Sequence, residues 1–364
     1  MTVDQRLNLI KQVGEEIITE KELKQLLESD EQLIAYDGFE PSGQMHIAQG
    51  ILRAININKL TKAGIKFKML VADWHAMANK KMGGDLDKIQ TVGKYFIEVW
   101  KACGMDLSNV EFVWASDLVK DSNYWKLVLQ VAQTNSYKRF IRTAEIMGRQ
   151  EDENLTAAQI MYSCMQTADI FTLRAKITQL GMDQRKVNVL AREVGPQLGY
   201  WKPVIVSHHI LLGLSGQANL TVPVNSGHDN KLKKVMELKM SKSNPDSAIF
   251  MNDSAEDVER KINKAYCPEG EIEGNPILEY CKYIIFELID KMTITNAKSV
   301  QTKDFDSYSQ LAEAYTNKSI HPQDLKTAVA QYLNQILDPV RKHFDQNPYA
   351  RTILDKVKSY QVTR

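Results

Sequence analysis

Apolar positions in this chain alternate between two kinds of run over its first 200 or so residues. Residues 1–30 read as a polar helical lead-in. LIAYD at 33–37 then reads as a short strand, and the loop Gly38-Phe39-Glu40-Pro41-Ser42-Gly43 follows. From Met45 to about Leu60 the apolar residues Ile47, Ile51 and Ile55 recur at helical spacing, with Leu60 closing the stripe. FKMLVAD at 67–73 is a near-continuous apolar run, as a parallel strand covered on both faces should be. The pattern predicts a helix at 85–103, a strand at 110–115 (VEFVWA), helices at 123–147, 156–174 and 184–195, and a strand at 203–206 (PVIV). Strands alternating with helices define an α/β fold with a doubly wound parallel sheet. Such sheets bind ligands beyond the carboxyl ends of their strands, so the loop after the first strand is the first place to look. Past residue 207 the pattern changes. Residues 213–230 are polar and rich in Gly and Asn, and from about 250 only helical patterns occur, at 254–266, 276–291, 305–316 and 322–345. The chain therefore divides into an α/β part, 1–248, and a smaller all-helical C-terminal domain, 249–364.

Composition narrows the classes without choosing one. The 364 residues are 43% hydrophobic and 25% charged, with 46 Lys and Arg against 45 Asp and Glu. This is ordinary globular make-up, and it excludes disordered, collagenous and coiled-coil chains. A net charge of +1 gives no global sign of nucleic acid. Neither an apolar leader at MTVDQRLNLIKQVGEE nor any stretch of 18 apolar residues is present, so we expect no membrane partner and a cytoplasmic location. Cys103, Cys164, Cys267 and Cys281 form no CxxC pair, and the seven histidines no HExxH, so reduced thiols and no protein-held metal are expected.

Two segments carry candidate chemistry. In the first, the strand ending at Asp37 runs into a Pro/Ser/Gly loop, and the pattern places His46 near the first turn of a helix. Helix N-termini present free N–H groups and positive potential to an anion such as a triphosphate, and a histidine there would donate to phosphate oxygens. The same segment also reads as a simple turn and capped helix. In the second, Lys239-Met240-Ser241-Lys242-Ser243 sets two lysines three apart with small hydroxyl residues. Lysines so placed can converge on a polyphosphate as charge develops, or form a solvated basic linker. Between the two segments, IMYSCMQTADIF puts Tyr162, Gln166 and Asp169 at i, i+4 and i+7, on one helical face. Either these polar groups meet a ligand with an ammonium and a phenolic hydroxyl, or they face solvent and neighbouring loops.

Together the two segments resemble the signatures of class I aminoacyl-tRNA synthetases. These are the HIGH motif, here His46-Ile47-Ala48-Gln49 with two substitutions, and KMSKS, here intact at 239–243. The wider stretch AYDGFEPSGQMHIAQG, the YxxxQxxD pattern at 162–169 and GMDQRK at 181–186 resemble the eukaryotic and archaeal tyrosyl-tRNA synthetases, plant and protist cytosolic members above all. The resemblance extends to HPQDLK at 321–326 and LDPVR at 337–341. It implies a Rossmann-like catalytic domain, an anticodon-binding helical domain and the reaction of a tyrosine–tRNA ligase. L-tyrosine is activated by ATP, with Mg²⁺, to tyrosyl-adenylate and pyrophosphate, and is then passed to the terminal adenosine of tRNA(Tyr). By resemblance, Tyr36 and Asp169 hold the substrate hydroxyl, Tyr162, Gln166 and Gln184 the amino end, and His75 lines the same pocket. Gly38, Glu40, Pro41, Ser42, Gly43, His46, Gln49, Met240 and Ser241 surround ATP, and His46, Lys239 and Lys242 stabilise the phosphates. A phenylalanine ring would leave Asp169 and Tyr36 unpaired. The family also implies a homodimer, for which the mixed apolar and basic helix 123–147 is a candidate surface. An ordinary amphipathic helix explains that pattern equally well.

Two features depart from the family. Residues 213–237 before KMSKS are longer than usual, and a Gly-Gly-Asn-Lys stretch of the C-terminal region is missing. Residues 251–364 carry 15 Lys and Arg against 17 Asp and Glu, so average charge gives that region no RNA footprint. Three rivals remain: a tryptophanyl-tRNA synthetase, which should lack the acidic group of Asp169; a small-molecule adenylyltransferase, for which the helical domain has no purpose; and a non-catalytic RNA-binding paralogue, for which Lys239, Lys242 and His46 have none.

Overall fold

A computed structural model describes residues 1–148, 154–216, 240 and 244–360. Six strands form its main sheet: β1 (Gly14–Ile18), β2 (Ile34–Phe39), β3 (Lys66–Val71), β4 (Val110–Trp114), β5 (Ile177–Thr178) and β6 (Val204–His208). Their spatial order is β1-β6-β5-β2-β3-β4, and every neighbouring pair is parallel except β1 with β6. From β2 the chain winds outward to β4, then returns to place β5 and β6 on the other side. The strand order therefore reverses between β2 and β5, and sheets of this kind bind ligands beyond the carboxyl ends of their strands at such a reversal.

Local sequence explains most elements. In β3, Phe67, Met69, Leu70 and Val71 are all buried, as the apolar run requires. The helix Ala157–Thr172 opens on a capping box in which Thr156 and Gln159 satisfy each other's backbone N–H groups. The helix Leu86–Ala102 starts at Asp85, whose carboxylate accepts from Lys88 N at 3.1 Å.

Four expectations need correction. The lead-in is not one helical stretch, because β1 separates the helices Val3–Lys11 and Glu20–Glu28. This polar edge strand is held by its antiparallel pairing with β6, a contact that the local pattern does not carry. Helix 45–60 begins only at Ile51. Residues 45–47 instead pair with 249–251, Ile47 N donating to Ile249 O at 2.8 Å and Met251 N to Met45 O at 2.9 Å. Helix 123–147 breaks at Asn135 and Ser136, both extended, into Ser122–Thr134, Tyr137–Ile141 and a 3-10 turn, Ala144–Met147. The C-terminal part is helical as expected, except for an antiparallel ribbon of β7 (Met292–Thr295) and β8 (Thr302–Phe305). The helical run expected to reach 291 stops at Leu288, where Ile289 turns extended, and the helix Pro348–Ser359 is a further addition.

One apolar cluster runs from the sheet, through the helices Ile51–Lys62 and Leu86–Ala102, into the C-terminal helices; a second, with Tyr36, Tyr124 and Ala168, fills another part of the α/β region. The four cysteines are unpaired. Among the described residues no helix is long and apolar enough to cross a membrane, and no group of three or more His, Cys, Asp or Glu is arranged to hold a metal.

Candidate active site

On the helix Ala157–Thr172, Tyr162, Gln166 and Asp169 all turn inward, the last two toward Tyr36 of β2. Asp169 is 0% exposed, Tyr162 6% and Gln166 7%, which settles the face on which this polar stripe lies. Tyr36, from β2, is 1% exposed, and among the described residues its hydroxyl has the Gln166 amide within reach but no partner in full hydrogen-bond alignment. Burial holds the Tyr36 hydroxyl well above the usual phenol range, and the charges of Asp169 and Asp37 add to that. It is therefore a neutral donor beside a carboxylate.

Two groups hold Asp169. Tyr124, on the helix Ser122–Thr134, donates to Oδ1 at 2.9 Å. His75, on the helix Asp73–Ala78, brings Nε2 to 2.9 Å from Oδ2, an ion-pair approach without hydrogen-bond alignment. Burial acts to lower the His75 pKa, but the carboxylate outweighs it and holds the imidazole above its ordinary value. The His75 ring also meets Tyr162 edge-on, with centroids 5.1 Å apart.

The amide and carboxylate groups lie around this core. Gln166 Nε2 donates to Gln184 Oε1 at 3.2 Å, and Gln184 Nε2 donates to the Ile146 carbonyl at 3.0 Å. Gln166 Oε1 is buried with no hydrogen-bond partner among the described residues. Glu40 accepts from Asn79 Nδ2 at 3.0 and 3.2 Å, and Lys81 Nζ stands 3.8 Å away. Burial pushes the Tyr162 phenol up, and the charge of Glu40 reinforces it.

β2 runs on through Gly38 and Phe39, which were expected in the loop, and the loop itself begins at Glu40. Gly43 has φ +115°, a conformation that side chains disfavour and that turns the chain toward Met45. His46 sits on the segment paired with Phe250, ahead of the helix and not in its first turn. Gln49 receives the Trp100 indole N–H on its carbonyl at 2.9 Å, while its buried Oε1 has no partner among the described residues. Met240 is buried against the main core. Lys239, Ser241, Lys242 and residues 217–237 of the long segment lie outside the described residues.

Sequence reasoning missed Tyr124 and a buried polar network beneath the loop. Asp37 and Arg53 meet at 2.6 Å. Arg53 also donates to the Gln179 carbonyl at 3.0 Å and its side chain at 2.6 Å, and lies 2.9 Å from His208 Nδ1. Arg53 was a legible signal, a lone cation inside the apolar run ILRAI. Nothing local marks Gln179 or His208.

Residues 28–338 match the family described as tRNA synthetases class I (W and Y), and the chain belongs to it. Two relatives are from Arabidopsis thaliana. Tyrosine–tRNA ligase 1, cytoplasmic, is 48% identical over 366 residues, which is all of this chain and 90% of that protein. Tyrosine–tRNA ligase 2, cytoplasmic, is 48% identical over 364 residues, 99% of this chain. Among solved structures, the Leishmania major tyrosyl-tRNA synthetase in complex with tyrosinol superposes with a TM-score of 0.88 at 43% identity over 99% of this chain. The chain spans 46% of the length of the second Arabidopsis protein and 61% of the Leishmania chain.

Proposed function

We propose that the chain is a tyrosine–tRNA ligase that joins L-tyrosine to ATP as tyrosyl-adenylate, releases pyrophosphate, and passes the tyrosine to tRNA(Tyr). The observation that carries this reading is the fully buried Asp169 carboxylate near the buried Tyr36 hydroxyl, which has no aligned hydrogen-bond partner among the described residues. A phenolic hydroxyl donates to the first and accepts from the second. A phenyl ring gives the Tyr36 hydroxyl no acceptor and leaves the remaining acceptor position of Asp169 unfilled, and an indole offers only an N–H donor. Tyr162, Gln166 and Gln184 take the ammonium end, and the orphan Gln166 Oε1 supplies an acceptor there. His75 acts on the pocket through Asp169.

The reaction needs no enzyme nucleophile. The tyrosine carboxylate attacks the α-phosphate in line, and the protein positions the reactants and stabilises charge. ATP enters as substrate with Mg²⁺ on its phosphates. Gly38, Glu40, Pro41, Ser42, Gly43 and Gln49 cradle the nucleotide with Met240 and Ser241, while His46, Lys239 and Lys242 stabilise the phosphates. Residues 1–248 form the catalytic domain and 249–364 the anticodon-binding domain. The protein works as a homodimer in the cytoplasm; the names of the Arabidopsis relatives place those two proteins in that compartment.

Charging of unfractionated tRNA with labelled tyrosine tests the whole reaction. Alkali-labile label at the 3′ end supports it. Adenylate formation without transfer would favour the adenylyltransferase reading.

A further inference from the structure

We infer that Tyr124 is a positioning residue for substrate selection: its hydroxyl fixes the Asp169 carboxylate that meets the phenolic hydroxyl of the substrate. The inference rests on the tyrosine reading of the site.

Tyr124 lies outside the elements that supply the predicted pocket. Its helix packs on Ala157–Thr172, and its ring, 2% exposed, belongs to the same apolar cluster as Tyr36 and Ala168. The helix start is pinned, Asp121 accepting from Asn123 N at 2.9 Å and Trp125 Nε1 donating to Val119 O at 3.0 Å. Two acceptors face the Tyr124 hydroxyl, Asp169 Oδ1 at 2.9 Å and the more distant Met165 carbonyl at 3.5 Å. With one hydrogen to give, it gives it to the nearer, charged oxygen. Burial and the adjacent Asp169 charge hold the phenol far above its usual range, so it stays a donor.

The second torsion of an aspartate is broad, so an unheld carboxylate presents no fixed lone pair. Here Tyr124 holds Oδ1 and His75 approaches Oδ2, which sets the plane of the group. Each oxygen keeps one further acceptor position for a ligand. Deleting the Tyr124 oxygen leaves the ring packing intact, but frees the carboxylate to turn toward other donors.

The test uses tyramine and phenethylamine, which differ only in the hydroxyl. Their dissociation constants are measured by equilibrium dialysis on wild type, Tyr124→Phe and, as a second donor-free variant, Tyr124→Met. Wild type should prefer tyramine. Loss of a hydrogen bond to a charged group should narrow that preference about 10- to 100-fold in both variants. A merely structural role would lower the number of competent sites and leave the ratio unmoved. In an Asp169→Asn background, Tyr124→Phe should change the ratio by less than about twofold, because the two act as one unit. A wild-type preference that survives in both variants, or a full extra loss in the Asp169→Asn background, would overturn the inference alone. No preference in wild type would overturn the tyrosine reading, and this inference with it.

Discussion

Arg53 reaches across from the helix Ile51–Lys62 to place its guanidinium 2.6 Å from the Asp37 carboxylate, and neither side chain is more than 4% exposed. The pair ties that helix to β2 at Asp37, one residue before the segment proposed to cradle the nucleotide. Burial pushes Asp37 up to about 6 even though Arg53 pulls the other way, so the carboxylate depends on its partner. Arg53→Met should therefore lower unfolding free energy by about 3–5 kcal/mol, the cost of leaving one buried charge alone. Urea denaturation measures it, and a loss below about 1 kcal/mol would contradict the account.

His209 gives a pH dependence of known sign. Its Nδ1 is 3.1 Å from Glu15, its Nε2 is 3.2 Å from Glu279, and its ring stacks on Tyr283 at 4.3 Å. Burial works to lower its pKa, but the two carboxylates prevail and raise it to about 9. A histidine raised in the folded state contributes stability that is complete below about 6.5 and lost as pH rises through about 9. Between pH 6 and 10 wild type should lose about 1–3 kcal/mol more stability than His209→Gln, since Glu15 is half exposed and screened. Parallel stability curves would sink the prediction.

Gly93 shows sterics overriding propensity. A Cβ there would lie 2.6 Å from the Trp114 ring and 2.7 Å from Val71. In a free helix Gly→Ala gains about 1 kcal/mol. Here overpacking of the helix Leu86–Ala102 against β3 and β4 should make Gly93→Ala a net loss of about 1–3 kcal/mol. A raised thermal midpoint would refute it.

What could be read from the sequence follows from what is local. The stripe of Tyr162, Gln166 and Asp169 was legible because helical spacing alone puts the three on one face. β3 was legible because burial on both faces leaves an apolar run. β1 was not, since GEEII is an edge strand whose only strong signal is its pairing with β6. The late start of the helix after His46 depends on 249–251, some 200 residues on. Tyr124 hid in a helix whose outer pattern suggested a surface, and its partner lies 45 residues away. For the half proposed to face the phosphates, the resemblance of the motifs alone points to Lys239 and Lys242, which lie outside the described residues.

Amino-acid-dependent ATP–pyrophosphate exchange, with tyrosine, phenylalanine and tryptophan in parallel on wild type and Asp169→Asn, tests the central claim most directly. The account predicts exchange with tyrosine alone and a loss of at least about 100-fold in kcat/KM in the variant, in line with removal of a buried, charge-assisted contact. Exchange driven by tryptophan, or tyrosine exchange that Asp169→Asn leaves intact, would contradict it.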